Sequence, residues 1–443
     1  MGIVYKENCN FSNGSGVTIK KMVTTLQHGL LNSEKGTMSS ILNVRETITF
    51  DDSIHRIENH AYKPYGQSVF GYNDSVSIVI QNENSYLLPS ESRLFIEGKI
   101  VNTAKTKATD ANLGKNCALF LFSELQYRLN NEVVDHVRNP GITTLLKGTA
   151  SFTPDHSNIL LNAGWGSVAN IKELVDSKGH FNFCIPLKMI FGFCEDYKKI
   201  ILNARHELVL IRNRNDTSSV LATKSDPDVQ IILEKVWWEM PHVHVSDKNQ
   251  IPLWNILKND RSLRLAFRHW DLMESIAPEF NFWYWQIKFT THLETARYVI
   301  LGFQVDREAY DKDSSIFDSV DITNLKVYLN SVRYPEENFL CDFETKTMAQ
   351  AYDLYSRFQP SYYIYNGLSK PLFSPIEFHN NPIFVIDCSH QNESIKSSII
   401  DMKIEIETKN PFKRNTMAYC LVIHDVIIDM NPTTNRVIKR VQI

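Results

Sequence analysis

The sequence predicts a mainly β protein: two tandem eight-stranded jelly rolls, with a few short helices in the loops. Three observations lead there. Short segments of alternating polarity recur along the chain, helical patterns are rare, and three sequence blocks repeat in the same order at a spacing of roughly 200 residues.

The chain opens on a polar stretch with Asn13-Gly14-Ser15-Gly16 and no sustained periodicity, so residues 1–45 are assigned to an N-terminal arm. Strand signals then begin. Ser75–Ile80 alternates β-branched with polar side chains, and Arg93–Val101 (RLFIEGKIV) is a second β-rich run. Leu125, Tyr127 and Leu129 alternate with Glu124, Gln126 and Arg128, and Asn130-Asn131 turns the chain into Glu132-Val133-Val134, which makes a hairpin. In the second half, residues 283–290 (WYWQIKFT), 324–329 and 401–407 (DMKIEIE) alternate in the same way. Residues 419–430 and 436–443 flank Asn431-Pro432-Thr433-Thr434-Asn435, a two-strand signature. Helical spacing is confined to residues 167–177 and 348–358. Many short strands with few helices exclude a βαβ enzyme fold in favour of a sandwich or barrel.

The repeat is weak block by block and orderly as a set. Arg93–Val101 resembles Arg297 to Val305, matching at the Arg, Ile, Gly and Val positions. Leu125 to Asn130 matches Leu325 to Asn330, and Ile232 to Met240 resembles Val422 to Met430. Pro241-His242-Val243-His244-Val245-Ser246-Asp247-Lys248-Asn249 is polar and carries a proline, which puts the join there. The expected domains are residues 46–245 and 246–443.

Composition narrows the function. Lys and Arg number 47 against 50 Asp and Glu, for a net charge of -3, and hydrophobic residues make up 43%. That is a chain able to bury a core, without the basic surplus that drives direct nucleic-acid binding. The seven cysteines (Cys9, Cys117, Cys184, Cys194, Cys341, Cys388, Cys420) form no CxxC pair and read as core thiols of a reducing compartment. The N-terminus lacks the apolar region of a signal peptide, and no apolar run reaches the roughly 18 residues of a membrane span. The expectation is a soluble protein made inside a cell.

Catalytic and cofactor motifs are scarce. The Asn13–Gly16 loop follows no strand and has no GK[ST], so it is not a phosphate cradle. His242 and His244 share one face of an extended chain, but no third ligand lies nearby in sequence; they read as part of a solvated linker. Asp51-Asp52 and Glu336-Glu337 are acidic pairs without a partner acid, and GxSxG and HExxH are absent. Catalytic, cofactor-binding and metal residues are therefore all expected to be none. The aromatics point elsewhere. Trp237-Trp238 and Trp283-Tyr284-Trp285 sit in strand patterns, so alternate rings face opposite sides of a sheet. Residues 358–367, with Tyr362, Tyr363 and Tyr365, read as a long loop that lies on another surface or covers its own domain's core. Tyr362, Tyr363, Tyr365, Trp238 and Trp283 are the candidate subunit contacts.

A resemblance to a known family rests on scattered motifs: Ile54-His55-Arg56-Ile57-Glu58-Asn59-His60-Ala61-Tyr62 with Pro64-Tyr65; Tyr86-Leu87-Leu88-Pro89-Ser90-Glu91-Ser92; Val243-His244-Val245-Ser246-Asp247; Ile300-Leu301-Gly302-Phe303-Gln304; Val327-Tyr328-Leu329-Asn330-Ser331 before Tyr334-Pro335; and, closest of all, Val385-Ile386-Asp387-Cys388-Ser389-His390-Gln391-Asn392-Glu393-Ser394 with Ala418-Tyr419-Cys420-Leu421-Val422-Ile423-His424-Asp425. Over residues 54–443 the chain resembles the double jelly-roll major capsid proteins of Polinton (Maverick) elements and adintoviruses, including their relatives in invertebrate genomes. The resemblance implies a homotrimer forming a hexon-like, pseudo-hexagonal capsomer of an icosahedral shell around double-stranded DNA. Implied partners are neighbouring capsomers and a minor (penton) capsid protein, the implied location is the virion, and no active site or sequence-specific nucleic-acid binding comes with it. Two other readings compete: a host-domesticated descendant with a cellular binding role, and a carbohydrate-binding β-sandwich protein, whose aromatic platforms would need an adjacent carboxylate pair for hydrolysis.

Overall fold

The computed structural model describes residues 54–66, 70–81, 86–225, 227–287, 296–330, 332–364, 369–389 and 401–440. The arm assigned to residues 1–45 lies outside them, as does Tyr365. Alternating segments of the first half form β1 (Ile54–Tyr62), β2 (Ser75–Ile80), β3 (Arg93–Val101), β4 (Phe122–Leu129), β5 (Glu132–Arg138), β6 (His180–Pro186), β7 (His206–Arg212) and β8 (Gln230–Val245). They pair in the orders β1-β8-β3-β6 and β2-β7-β4-β5. The second half forms β9 (Leu263–Ile276), β10 (Phe282–Ile287), β11 (Ala296–Val305), β12 (Ile322–Leu329), β13 (Val332–Tyr334), β14 (Phe384–Asp387), β15 (Met402–Thr408) and β16 (Thr416–Asn431). Their orders are β9-β16-β11-β14 and β10-β15-β12-β13. Adding eight to each label of the first half gives the second. The two jelly rolls have one topology, and a last strand, β17 (Arg436–Lys439), extends the sheet beside β16.

The repeated blocks fall on β3 and β11, β4 and β12, and β8 and β16. The hairpin block repeats down to its turn. Asn130 and Asn131 adopt φ of 48° and 72°, and Asn330 a φ of 47°, the left-handed region that asparagine tolerates. Oδ1 of Asn130 accepts from the Arg205 amide at 2.8 Å, and Oδ1 of Asn330 from the Asp401 amide at 2.8 Å. The first block matches less closely than its letters do. Leu94 lies across from Trp238, which meets Tyr127 of the facing sheet edge-on, so Leu94, Ile96 and Ile100 point into the first roll. In the second roll Phe303 packs on Phe412, which also meets Trp283 of the facing sheet, so Val299, Leu301 and Phe303 point inwards. Aligning Arg93 with Arg297 pairs inward with outward positions. The strands correspond, with the register slipped by an odd step.

Three expectations change. Pro241 to Val245 belongs to β8, not to a solvated join: these residues pair with β1, and His242 is buried with Nε2 2.8 Å from the Tyr62 hydroxyl. The connection is the helix Asp247–Lys258 that follows. The expected helix at 167–177 shrinks to Val168–Lys172. Residues 358–363 of the expected loop are instead the end of a helix, Ala349–Tyr363, with Pro360 inside it, and residues 365–367 lie outside the described residues. Proline has no N–H to give the Ser356 carbonyl, and the Ser369 hydroxyl donates to that carbonyl instead, at 2.5 Å.

One element had no sequence signal as a helix. Pro140–Ser151 (PGITTLLKGTAS), here α1, is buried over all 12 residues. Pro140 opens it and the Asn139 side chain caps it, accepting from the Ile142 amide. A helix covered on every side carries no polar stripe for periodicity to find. It packs against Gly192–Asp196 (α2) through side chains and beside Ala349–Tyr363, here α3. Together with the rolls it makes Ser53–Ile443 one compact unit.

Candidate functional site

The side chains with most at stake lie where the two rolls meet. Lys147, in the middle of α1, is 1% exposed and bonds the Glu195 carboxylate on α2. Its ammonium stands 4.6 Å from the ring centre of Trp270 and 5.1 Å from that of Tyr362. Burial alone lowers the Lys147 pKa, but Glu195 outweighs it, and the net shift is upwards. Glu195 in turn accepts from the Tyr362 hydroxyl at 2.6 Å and the Tyr363 hydroxyl at 2.8 Å. A buried charge is tolerable only when paired and hydrogen-bonded in this way.

Arg268 on β9 forks onto Asp196 of α2, with Nε 2.8 Å from Oδ2 and Nη2 2.6 Å from Oδ1. Its third donor reaches the Tyr362 carbonyl at 2.6 Å, and the guanidinium lies 3.6 Å from the ring centre of Tyr362. A Cβ on Gly192 would sit 1.7 Å from the Arg268 carbonyl oxygen; only glycine lets α2 approach β9 so closely. The last carbonyls of α1 are taken by α3, where the Tyr355 hydroxyl donates to Thr149 and the Gln359 amide to Ser151. Asp135 of β5, itself buried, accepts from the amides of His136 and Phe193 and pairs with His269 Nδ1, each at 2.8 Å. His269 belongs to a convergent group with Asp271 and His424. Beside the seam, Phe152, His156, Glu195, Lys198, Tyr363 and Lys370 border a cleft of about 610 Å³. Both Glu195 oxygens are committed, so it is no free base.

A family model described as a double jelly roll-like domain matches residues 111–428. The chain belongs to that family. A chain of the Sputnik virophage superposes with a TM-score of 0.61 at 8% identity, covering 90% of this chain and 91% of that one. A chain of the PBCV-1 virus capsid gives 0.58 at 9% identity, over 90% and 100%. The mavirus major capsid protein gives 0.51 at 10% identity, over 90% and 93%. At such identities the likeness is one of fold. No curated protein matches the sequence.

Within this double jelly-roll chain the proposed contact residues have different surroundings from those expected. Trp238 is fully buried against Tyr127, and Tyr362 is buried between Glu195 and Arg268; neither has a surface to offer a neighbour. Trp283 stacks on Trp285 at 5.1 Å and leans on the core of the second roll. Tyr363 is 41% exposed, with its hydroxyl held by Glu195. The tyrosines of α3 thus join the two rolls of one chain. Among the exposed apolar side chains, Ile276, Phe280, Phe282 and Tyr284 lie on or just before β10, an edge strand of its sheet. Sequence reasoning passed over Phe282 and Tyr284 in favour of the tryptophans beside them, although alternation already puts Tyr284 opposite Trp283. Cys117, Cys194, Cys341, Cys388 and Cys420 are buried, and burial pushes the Cys117 and Cys341 thiols up to about 12, which keeps those two unreactive. Among the described residues no helix is long and apolar enough to cross a membrane.

Proposed function

We propose that the chain is a major capsid protein of the Polinton (Maverick)/adintovirus lineage, a homotrimer forming pseudo-hexagonal, hexon-like capsomers of an icosahedral shell around double-stranded DNA. Its reading frame divides into an arm (1–45) and two roll domains (46–245 and 246–443), and its place is the virion. Neighbouring capsomers and a minor penton protein are its partners, and it catalyses nothing. The chief support is the end-to-end likeness to capsid chains, which takes in both rolls and 91–100% of the viral chains compared. Two rolls of one topology per chain give six around a threefold axis, and cyclic closure leaves no open contact. The exposed apolar group on β10 supplies a surface that such closure would bury.

Light scattering across a dilution series, with negative-stain imaging of the same samples, tests the reading. The expected particle has three times the 51.1 kDa chain mass and a six-lobed outline. A stable mass near that of one chain, with the β signal intact in circular dichroism, overturns it. Phe282→Ser with Tyr284→Ser should weaken the trimer while leaving the β signal unchanged.

A further inference from the structure

We propose that His269, Asp271 and His424 form a binding site for one divalent transition-metal ion, of the zinc class. The strands place the ligands. His269 on β9 lies directly across from His424 on β16, and Asp271 follows two residues after His269, so all three share one face of the pair. Their ligand atoms all lie within 4.8 Å of one another.

The distances favour an interposed ion over direct bonding. Nε2 of His424 stands 3.7 Å from Oδ2 of Asp271, and Nε2 of His269 stands 3.9 Å from Oδ1 of Asp271. These are too long for hydrogen bonds. A tetrahedral ion with ligand bonds of about 2.0–2.2 Å holds its ligand atoms roughly 3.4 Å apart, a short side-chain movement from the observed spacing. The tautomers are prepared as well. His269 Nδ1 faces the Asp135 carboxylate at 2.8 Å and His424 Nδ1 the Asp425 carbonyl at 3.3 Å, so each ring turns an Nε2 lone pair towards Asp271. The carboxylate behind His269 is the partner that a metal-binding imidazole ordinarily has.

His424 supplies the independent sign. It is 1% exposed, and its Nε2 is buried with no hydrogen-bond partner. An unpartnered polar nitrogen in that position is costly, and an ion removes the cost. Asp271 is 24% exposed at the side chain, which leaves an entry path. Two imidazoles and one carboxylate suit zinc and its neighbours better than calcium or magnesium, which prefer all-oxygen shells. Because Asp135 comes from the first roll and the ligands from the second, the bound ion would tie the rolls together.

The test uses tag-free full-length protein stripped with EDTA, dialysed and titrated calorimetrically with zinc chloride alone. One ion per chain is expected, with a raised thermal midpoint. His269→Ala and His424→Ala should abolish binding, Asp135→Asn should weaken it about 10–100-fold, and the double change His242→Ala, His244→Ala should leave it intact. Absence of stoichiometric zinc on folded wild type overturns the proposal, as does binding that survives His424→Ala. Cobalt loading of wild type gives a readout that needs no variant to fold: intense visible bands of four-coordinate cobalt are expected, and the pale spectrum of the hydrated ion counts against the site.

Discussion

The two rolls share their strand order yet treat the same sheet differently. In the first roll β3 alternates cleanly, with Leu94, Ile96 and Ile100 inside and Arg93 and Lys99 turned outwards. Its outer side is dressed for water: Lys235 bonds Glu97 at 2.7 Å, and Phe95 stacks on Trp237 at 4.9 Å. In the second roll β11 is buried on both sides from Tyr298 to Gln304 except where its ends emerge. Tyr298 packs on Phe358 and Tyr362 of α3, and a Cβ on Gly302 would stand 2.9 Å from Leu146 of α1. The first roll therefore lends a helix that covers the second, and nothing of its own is covered in return at β3. Topology repeats; burial does not. A repeated fold can hold two unlike halves when one cover element serves only one of them.

The largest way to break this asymmetry is at the cover itself. Lys147→Met leaves Glu195 buried without its cation and should cost about 3–5 kcal/mol, read as a lowered urea midpoint; the added Glu195→Gln change should cost less than the two single changes summed. Next, Gly192→Ala drives a methyl into the Arg268 carbonyl and should cost about 1–3 kcal/mol or more, with protease cutting near α2 appearing before cutting in β3.

A third test separates the rolls by acid. His206 of β7 lies opposite Leu129, fully buried against the Tyr127 hydroxyl, and burial pushes its pKa down to about 3. The matching position opposite Leu329 in the second roll is Met402. An unfolded histidine takes up its proton near pH 6.5, while the folded one stays neutral until about 3. The stability this contributes is complete above pH 6.5 and declines as the pH falls towards 3, by at most about 1.4 kcal/mol per pH unit. Tyr127→Phe with His206→Met, which borrows the second roll's chemistry, should flatten that slope in a pH series of denaturation midpoints. The smallest effect belongs to the exposed side of β3, where Lys235→Ala should barely move the midpoint.

Much of the fold was legible in the sequence because strands announce themselves by period-two alternation and asparagine turns. The Asn130 and Asn330 hairpins, the β3, β8, β11 and β16 strands and the pairing of blocks were all readable. The helices of the seam were less so. Pro140–Ser151 mixes Gly, Thr and Leu without a polar face, and Pro360 disguised the end of α3 as a loop. A continuous apolar run is, however, a sign of burial on both faces, and Tyr298-Val299-Ile300-Leu301-Gly302-Phe303 carried it beside the alternating RLFIEGKIV. The seam residues left no local trace: Lys147 meets Glu195 because helices α1 and α2 pack together, and His269 meets His424 because strands far apart in the chain lie side by side.

Helix α1 also bears on how such a chain can change over generations. Two rolls that arise as copies begin self-sufficient, and either can be deleted, exchanged or inherited alone. Once a helix spelled by the first half became the roof of the second, that freedom ended. Residues 246–443 expressed alone would lose Leu146 of α1 from the outer side of β11 at Gly302, and residues 46–245 alone would present the bare side of α1. The halves are now bound by mutual need, so recombination between related genes should preserve them as a unit and place its crossovers in the loops facing away from α1.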